Sequence, residues 1–238
     1  MGEGRKRILI ETGYGEKWTD KERDIFALEN RSVVDALREV NVAPEDIDLV
    51  IVTHLHFDHA AGLTRWGESG GTGVPPAILP TFPNARIIVQ RTEWEDALAN
   101  KSTMTRTYLR SHLDPIAHQV ELVEGEAMIV PEIGLRVMPM VGHTWGQQAV
   151  LWEDAAGTLC FPGDLIPTVN HAGLAYSLGY DMLPYENMLN KKAMLEQALE
   201  EEWRFVLDHE PGDPVVRPVR DEANRIVLKP QMHADAHR

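Results

Sequence analysis

Three histidines and an aspartate fall within six residues, at His54-Leu55-His56-Phe57-Asp58-His59. They follow Asp48–Thr53 (DLVIVT), a continuous, largely β-branched run of the kind expected of a strand covered on both faces. On an extended or turning backbone, residues two apart project to the same side, so His54 and His56 can grip one cation together. Asp58 and His59, one tight turn further on, point to a neighbouring position. Imidazole and carboxylate donors suit zinc, with iron, manganese or nickel compatible on ligand chemistry alone. Three further donors stand where strands are expected to end: His143 in VGHT, Asp164 in FPGD and His209 after Trp203–Leu207. Taken singly, each reads equally well as a turn or loop residue. Together with the first cluster they supply the donors that a two-metal site requires.

The elements that must position these side chains alternate between strand and helix patterns. A short strand over Arg7–Glu11 runs into a loop with Thr12, Gly13 and Gly15. From Asn30, read as an N-cap, Val33, Val34, Leu37 and Val40 give a helical period. Residues 66–84 are rich in Gly and Pro and read as a long surface loop. Ala85–Gln90 returns to strand, and Arg91 to about Ala117 reads as a broken helix. Strands are expected over Gln119–Val123, Ala127–Val130, Gly134–Met140, Gln147–Trp152 and Thr158–Phe161, the last two as a hairpin. A helix over Tyr185–Glu202 carries an apolar stripe of Met188, Leu189, Leu195 and Leu199, and a final hairpin spans Val215–Pro230. Strands in two groups with helices between and after them predict an α/β fold of two mixed sheets packed face to face with helices outside, as one domain over residues 1–238.

Composition narrows the partners. The chain has 238 residues, 43% hydrophobic and 25% charged, with a net charge of −14. That balance argues against a nucleic-acid backbone, which needs clustered Lys and Arg. A single cysteine, Cys160, excludes an internal disulfide and any cysteine-based zinc cluster, and reads as a buried small hydrophobe. The basic start Arg5-Lys6-Arg7 is followed by only three apolar residues, too few for a signal peptide or membrane helix. The expected setting is cytoplasmic, away from membranes.

The seven donors in this order resemble the metallo-β-lactamase-fold hydrolases, whose signature is HxHxDH followed by a separate His, a bridging Asp and a last His. The match runs from ILIETGYG through THLHFDHAAGL, His143 in GHTWGQQ and Asp164 in FPGDL to His209 in DHEP. The family's αββα sandwich agrees with the strand groups. Within it, the HLHFDHAAG run, the GDLIPT continuation and the His171, Tyr176, Tyr180-Asp181 stretch are similar to quorum-quenching lactonases.

The resemblance implies two zinc ions: His54, His56 and His143 on the first, Asp58, His59 and His209 on the second, and Asp164 bridging. It implies a hydroxide between the metals that attacks a small ester or lactone, an acyl-homoserine lactone among them. Asp58 would also handle a proton on the way to the leaving group. Tyr176 or Tyr180 would hydrogen-bond the substrate oxygen, with core packing the competing reading for either. His171 is a candidate substrate contact, and Trp145, where relatives commonly have Pro, would reshape a pocket wall. Gln147 stands where His is frequent, and the cysteine that one β-lactamase branch carries at the bridging position is here Asp164. Family members usually have further strands ahead of the ILIETG segment, so the first sheet is expected to lack its opening strands, with a homodimer contact as one cover for the edge. The alternatives are an iron oxygenase acting on a thiol adduct, an RNA-processing nuclease of the same fold, and a truncated binding module without activity.

Overall fold

The computed structural model describes residues 6–68, 76–102 and 107–231. The chain divides into two compact units, Met1–Val123 and Glu124–Arg238.

In the first unit, three short apolar runs and a fourth, half-buried one form a sheet in the order β1-β2-β5-β6: β1 (Ile8–Ile10), β2 (Leu49–Ile51), β5 (Arg86–Gln90) and β6 (Val120–Val123). All three pairings are parallel, with Ile8 opposite Leu49, Leu49 opposite Arg86 and Ile87 opposite Val120. The expectation of a mixed sheet is corrected here. Each step along the sheet is a crossover through helical segments, which returns the chain to run in the same direction. Those segments are α1 (Asp20–Ile25) and α2 (Val33–Glu39), then α3 (Phe57–Ala60), then α4 (Arg91–Leu98) and α5 (Arg110–Leu113). Leu49, Val50, Ile51 and Val52 are each 1% exposed or less, as a strand covered on both faces requires. Val50 and Val52, on one face, pack with Leu55, Leu63, Phe82, Ile87, Leu113 and Ile116 in one core, while the alternate residues Leu49 and Ile51 are buried on the other face.

Two local readings are corrected in this unit. The cap of α2 is Ser32, whose N–H donates to Asp35 Oδ2 at 2.9 Å, rather than Asn30. The expected loop over 66–84 contains β4 (Ile78–Pro80), paired antiparallel with β3 (Thr64–Trp66). Flanking prolines disguised that strand, which Pro can end because, among the described residues, β4 has a ladder partner on one edge alone. Residues 69–75 of that stretch, and 103–106 of the expected broken helix, lie outside the described residues.

The second unit is a seven-stranded mixed sheet: β7 (Ala127–Val130), β8 (Leu135–Pro139), β9 (Gln148–Asp154), β10 (Gly157–Phe161), β11 (Arg204–Val206), β12 (Val215–Arg220) and β13 (Ile226–Pro230), hydrogen-bonded in that order. Only β10 and β11 run parallel, because the helix α6 (Pro184–Glu200) connects them; short turns make the rest antiparallel. The buried side of α6 is Asn187, Lys191, Met194, Leu195 and Ala198. Of the expected stripe, Leu195 is buried, Met188 and Leu199 are half-buried, and Leu189 is 42% exposed. Polar groups take the inner side because they have partners there: Lys191 Nζ donates to the Tyr176 carbonyl, and Asn187 Nδ2 to Asp181. Cys160 is fully buried, and burial pushes its thiol pKa up, so it packs as a small hydrophobe. Among the described residues, no helix is long and apolar enough to cross a membrane.

Candidate functional site

The first unit gathers four of the seven donors at the end of β2. The chain leaves the strand at Thr53, and His56 serves as the N-cap of α3, with extended backbone at φ −61° and ψ 153°. That short helical turn swings Asp58 and His59 back towards the strand end. His54, His56 and His59 are 0%, 4% and 2% exposed, and Asp58 is half-buried. The His54 ring centroid lies 4.5 Å from that of His56 and 4.0 Å from that of His59. Each of His54 and His56 offers a ring nitrogen within 4.8 Å of the other. Asp58 Oδ2 is 3.8 Å from His59 Nε2.

Neighbouring groups fix which ring edge each histidine presents. Thr53 Oγ1 lies 3.0 Å from His54 Nδ1, and Glu11 Oε2 lies 3.4 Å from His59 Nδ1. In both rings Nδ1 is thereby engaged and Nε2 faces away, the arrangement that orients a metal-binding imidazole. Glu11 reaches this position from the end of β1, where it also accepts the Thr53 N–H at 2.6 Å. Its φ of 64° is uncommon for a residue with a side chain and costs of the order of 1–3 kcal/mol. The next residue, Thr12, donates both its N–H (3.0 Å) and its hydroxyl (2.7 Å) to the His59 carbonyl. Gly62 completes the packing: a Cβ there would stand 2.1 Å from the Thr12 carbonyl oxygen.

The second unit holds the other three. His143, 0% exposed, lies in the turn after β8; Asp164, 3% exposed, lies in a helical turn after β10; His209 follows β11. Asp164 turns one oxygen to each histidine: Oδ2 is 3.2 Å from His143 Nε2 and Oδ1 is 3.2 Å from His209 Nε2. Asp208 also offers an oxygen within 4.8 Å of donor atoms on Asp164 and His209. On its far edge, His143 Nδ1 is 2.8 Å from Asp181 Oδ1. Asp181 is itself held by the Leu178 N–H at 3.0 Å and by Asn187 Nδ2 at 3.3 Å.

Zinc suits these donors on chemistry and on spacing. Two ligands bonded to one tetrahedral zinc at about 2.0–2.1 Å stand about 3.3 Å apart. The two Asp164–histidine separations, 3.2 Å each, match that figure. The donor set is imidazole and carboxylate throughout, and the engaged Nδ1 atoms leave Nε2 for the metal.

Of the expected substrate contacts, Tyr180 packs edge-on against the His143 ring at 5.8 Å between centroids, with its own side 46% exposed. Tyr176 is 62% exposed, its ring lies over Gly173, and its carbonyl takes the Lys191 hydrogen bond. His171 is half-buried with Nδ1 2.8 Å from Thr168 Oγ1, and burial lowers its pKa. Trp145 is half-buried two residues beyond His143. The sequence reading overlooked Glu11, Thr53, Asp181 and Asp208 as partners of the ligands. Thr53 and Asp208 stand next to a donor in the chain and Glu11 directly follows β1, a position that by itself names no partner; Asp181, in the loop before α6, had no such signal.

The metallo-beta-lactamase superfamily model matches residues 1–209. An N-acyl homoserine lactonase of Bacillus thuringiensis is 35% identical over 125 residues, which is 52% of this chain and 40% of the lactonase, so the chain matches less than half the length of that curated relative. A probable metal-dependent hydrolase from Staphylococcus aureus superposes with a TM-score of 0.80 at 26% identity, covering 96% of this chain and 79% of that one. An N-acyl homoserine lactone hydrolase with N-hexanoyl-L-homoserine bound at its catalytic metal centre gives 0.62 at 25% identity, over 86% of this chain and 76% of that one. With its donors in the family's order and the family model spanning nearly nine-tenths of its length, the chain belongs to the metallo-beta-lactamase superfamily.

Proposed function

We propose that the chain is a metal-dependent hydrolase that opens a lactone, an N-acyl homoserine lactone being the substrate class to which its relatives point. Two zinc ions are its cofactors, the first held by His54, His56 and His143 and the second by Asp58, His59 and His209, with Asp164 shared. The observation that carries this reading is Asp164, a buried carboxylate with one oxygen 3.2 Å from each of two histidines. The relatives that hydrolyse N-acyl homoserine lactones support the substrate class. On this reading residues 1–238 work as one domain, as the extent of the family match supports.

When bound, the cations supply Lewis acidity and an activated water near neutral pH. The chain's own residues do the rest. Asp181, Thr53 and Glu11 hold His143, His54 and His59 in one tautomer and orientation. Asp58 carries a proton to the alkoxide oxygen that leaves when the ring opens. Tyr180, beside His143, donates its hydroxyl to the carbonyl or leaving oxygen of the lactone, where negative charge develops, and Tyr176 is the second candidate for that role. His171 and Trp145 contact the substrate from the pocket wall. A homodimer that covers β1, the last strand in its sheet's order, and a reducing cytoplasm, which suits a lone buried thiol, complete the reading.

Lactone opening releases a proton, so a pH-indicator assay with N-hexanoyl homoserine lactone tests the proposal on purified protein. The expected result is turnover that a chelator abolishes and added zinc restores. No turnover of any lactone or aryl ester by zinc-loaded protein contradicts it, and oxygen uptake with a glutathione persulfide in the iron-loaded form would replace it.

A further inference from the structure

Glu93, in the first turn of α4, is 0% exposed, and neither cluster of donors includes it. One of its oxygens, Oε1, accepts the Leu55 N–H at 2.8 Å and the Tyr108 hydroxyl at 3.1 Å. Leu55 is the residue between His54 and His56. The Tyr108 ring packs on the His56 ring, with centroids 5.0 Å apart and planes inclined by 54°. One residue beyond His56, the Phe57 N–H donates to the Thr107 carbonyl at 3.2 Å. The segment that carries both histidines is therefore held on this side by α4 and by residues 107–108, through hydrogen bonds that span 38 and 50 positions of sequence. Burying a carboxylate is costly, and an apolar side chain would fill the same space without that cost. What the carboxylate adds is a strong acceptor that takes a backbone amide and a phenol at once, fixing the amide plane and the ring together.

We propose that Glu93 is a positioning residue for metal binding: it holds the Leu55 amide and, through Tyr108, the His56 ring, and so sets the angle at which His54 and His56 share a cation. The inference rests on the metal-dependent reading above and adds to it the residue that fixes this ligand pair.

The test compares the full wild-type chain with Glu93→Ala, Glu93→Gln and Tyr108→Phe, each loaded with zinc or cobalt. Affinities are measured by competition with a chromophoric chelator, and the cobalt d–d absorption is recorded. In Glu93→Ala, one of the two bound equivalents is expected to weaken about ten- to hundredfold, with a shifted cobalt spectrum. Glu93→Gln keeps an oxygen acceptor for the Leu55 N–H and is expected to recover most of that affinity and the native spectrum. Tyr108→Phe, the variant least disruptive to folding, is expected to weaken the same equivalent severalfold. Wild-type affinity and spectrum in folded Glu93→Ala, or in Tyr108→Phe should the alanine variant not fold, overturn the proposal. Glu93→Gln as weak as Glu93→Ala overturns it too, since the loss would then follow charge and not the hydrogen bond. A wild-type chain that takes up neither metal overturns the hydrolase reading itself, which separates that failure from a failure of Glu93 alone.

Discussion

At the scale of single residues, the ligands and the groups behind them carry different expectations. His59 is 2% exposed with Glu11 on its Nδ1 edge, and in the proposed function it is a ligand of the second cation. His59→Ala should remove that cation and slow lactone hydrolysis at least a hundredfold, about 2.7 kcal/mol in the barrier. Zinc content and kcat/KM of the purified variant check this together. Asp181 acts one step removed, through the 2.8 Å contact with His143 Nδ1. Asp181→Asn keeps its size but weakens the orienting bond, so metal affinity should fall about ten- to hundredfold while the fold, followed by circular dichroism, persists. The HLHFDH donors were legible in the sequence because their grouping is local and their spacing needs only a strand end and a turn. Asp181, Glu11 and Glu93 were not, since each acts 38 or more positions away along the chain. A lone carboxylate in a sequence carries no mark of the imidazole or amide that it meets after folding.

At the scale of elements, two features separate packing from chemistry. Gly142 precedes His143, and a Cβ there would stand 2.6 Å from Asn187 Cα and 3.0 Å from its backbone nitrogen, on the first turns of α6. Backbone cannot yield as a flexible side chain can. Gly142→Ala should therefore cost about 1–3 kcal/mol in urea unfolding and displace the turn that bears His143. The second feature is His112 on α5, 3% exposed. Burial first, and then the positive charge of Lys17, lower its pKa from 6.5 to about 3. Between those values the unfolded chain binds a proton that the folded chain does not, so stability falls as pH drops from 6.5 towards 3. Melting temperatures of wild type and His112→Phe across that range check the sign: the variant should show a shallower acid limb. The strand and helix order was legible wherever apolar runs were continuous, as in Leu49–Val52, or where a turn was marked, as between β9 and β10. It failed at β4, where prolines masked a paired strand, and on α6, where Lys191 and Asn187 are buried because of their partners Tyr176 and Asp181. Periodicity of apolar residues cannot register a polar side chain whose burial is made tolerable by a distant acceptor.

At the scale of the whole chain, a net charge of −14 opposes an RNA backbone, and binding of RNA at physiological salt should be undetectable in a filter assay. The same acidity is compatible with a neutral acylated lactone, and bound cations would offset part of it. Because such cations bind the folded chain and not the unfolded one, chelation should lower the melting temperature as well as the activity. The proposed two-zinc function needs all seven donors. Metal analysis of the purified full chain, after exposure to zinc and exhaustive dialysis, tests this most directly. About two zinc ions per chain, falling to one or fewer in Asp164→Ala, is the result predicted; well under one zinc per wild-type chain would contradict it.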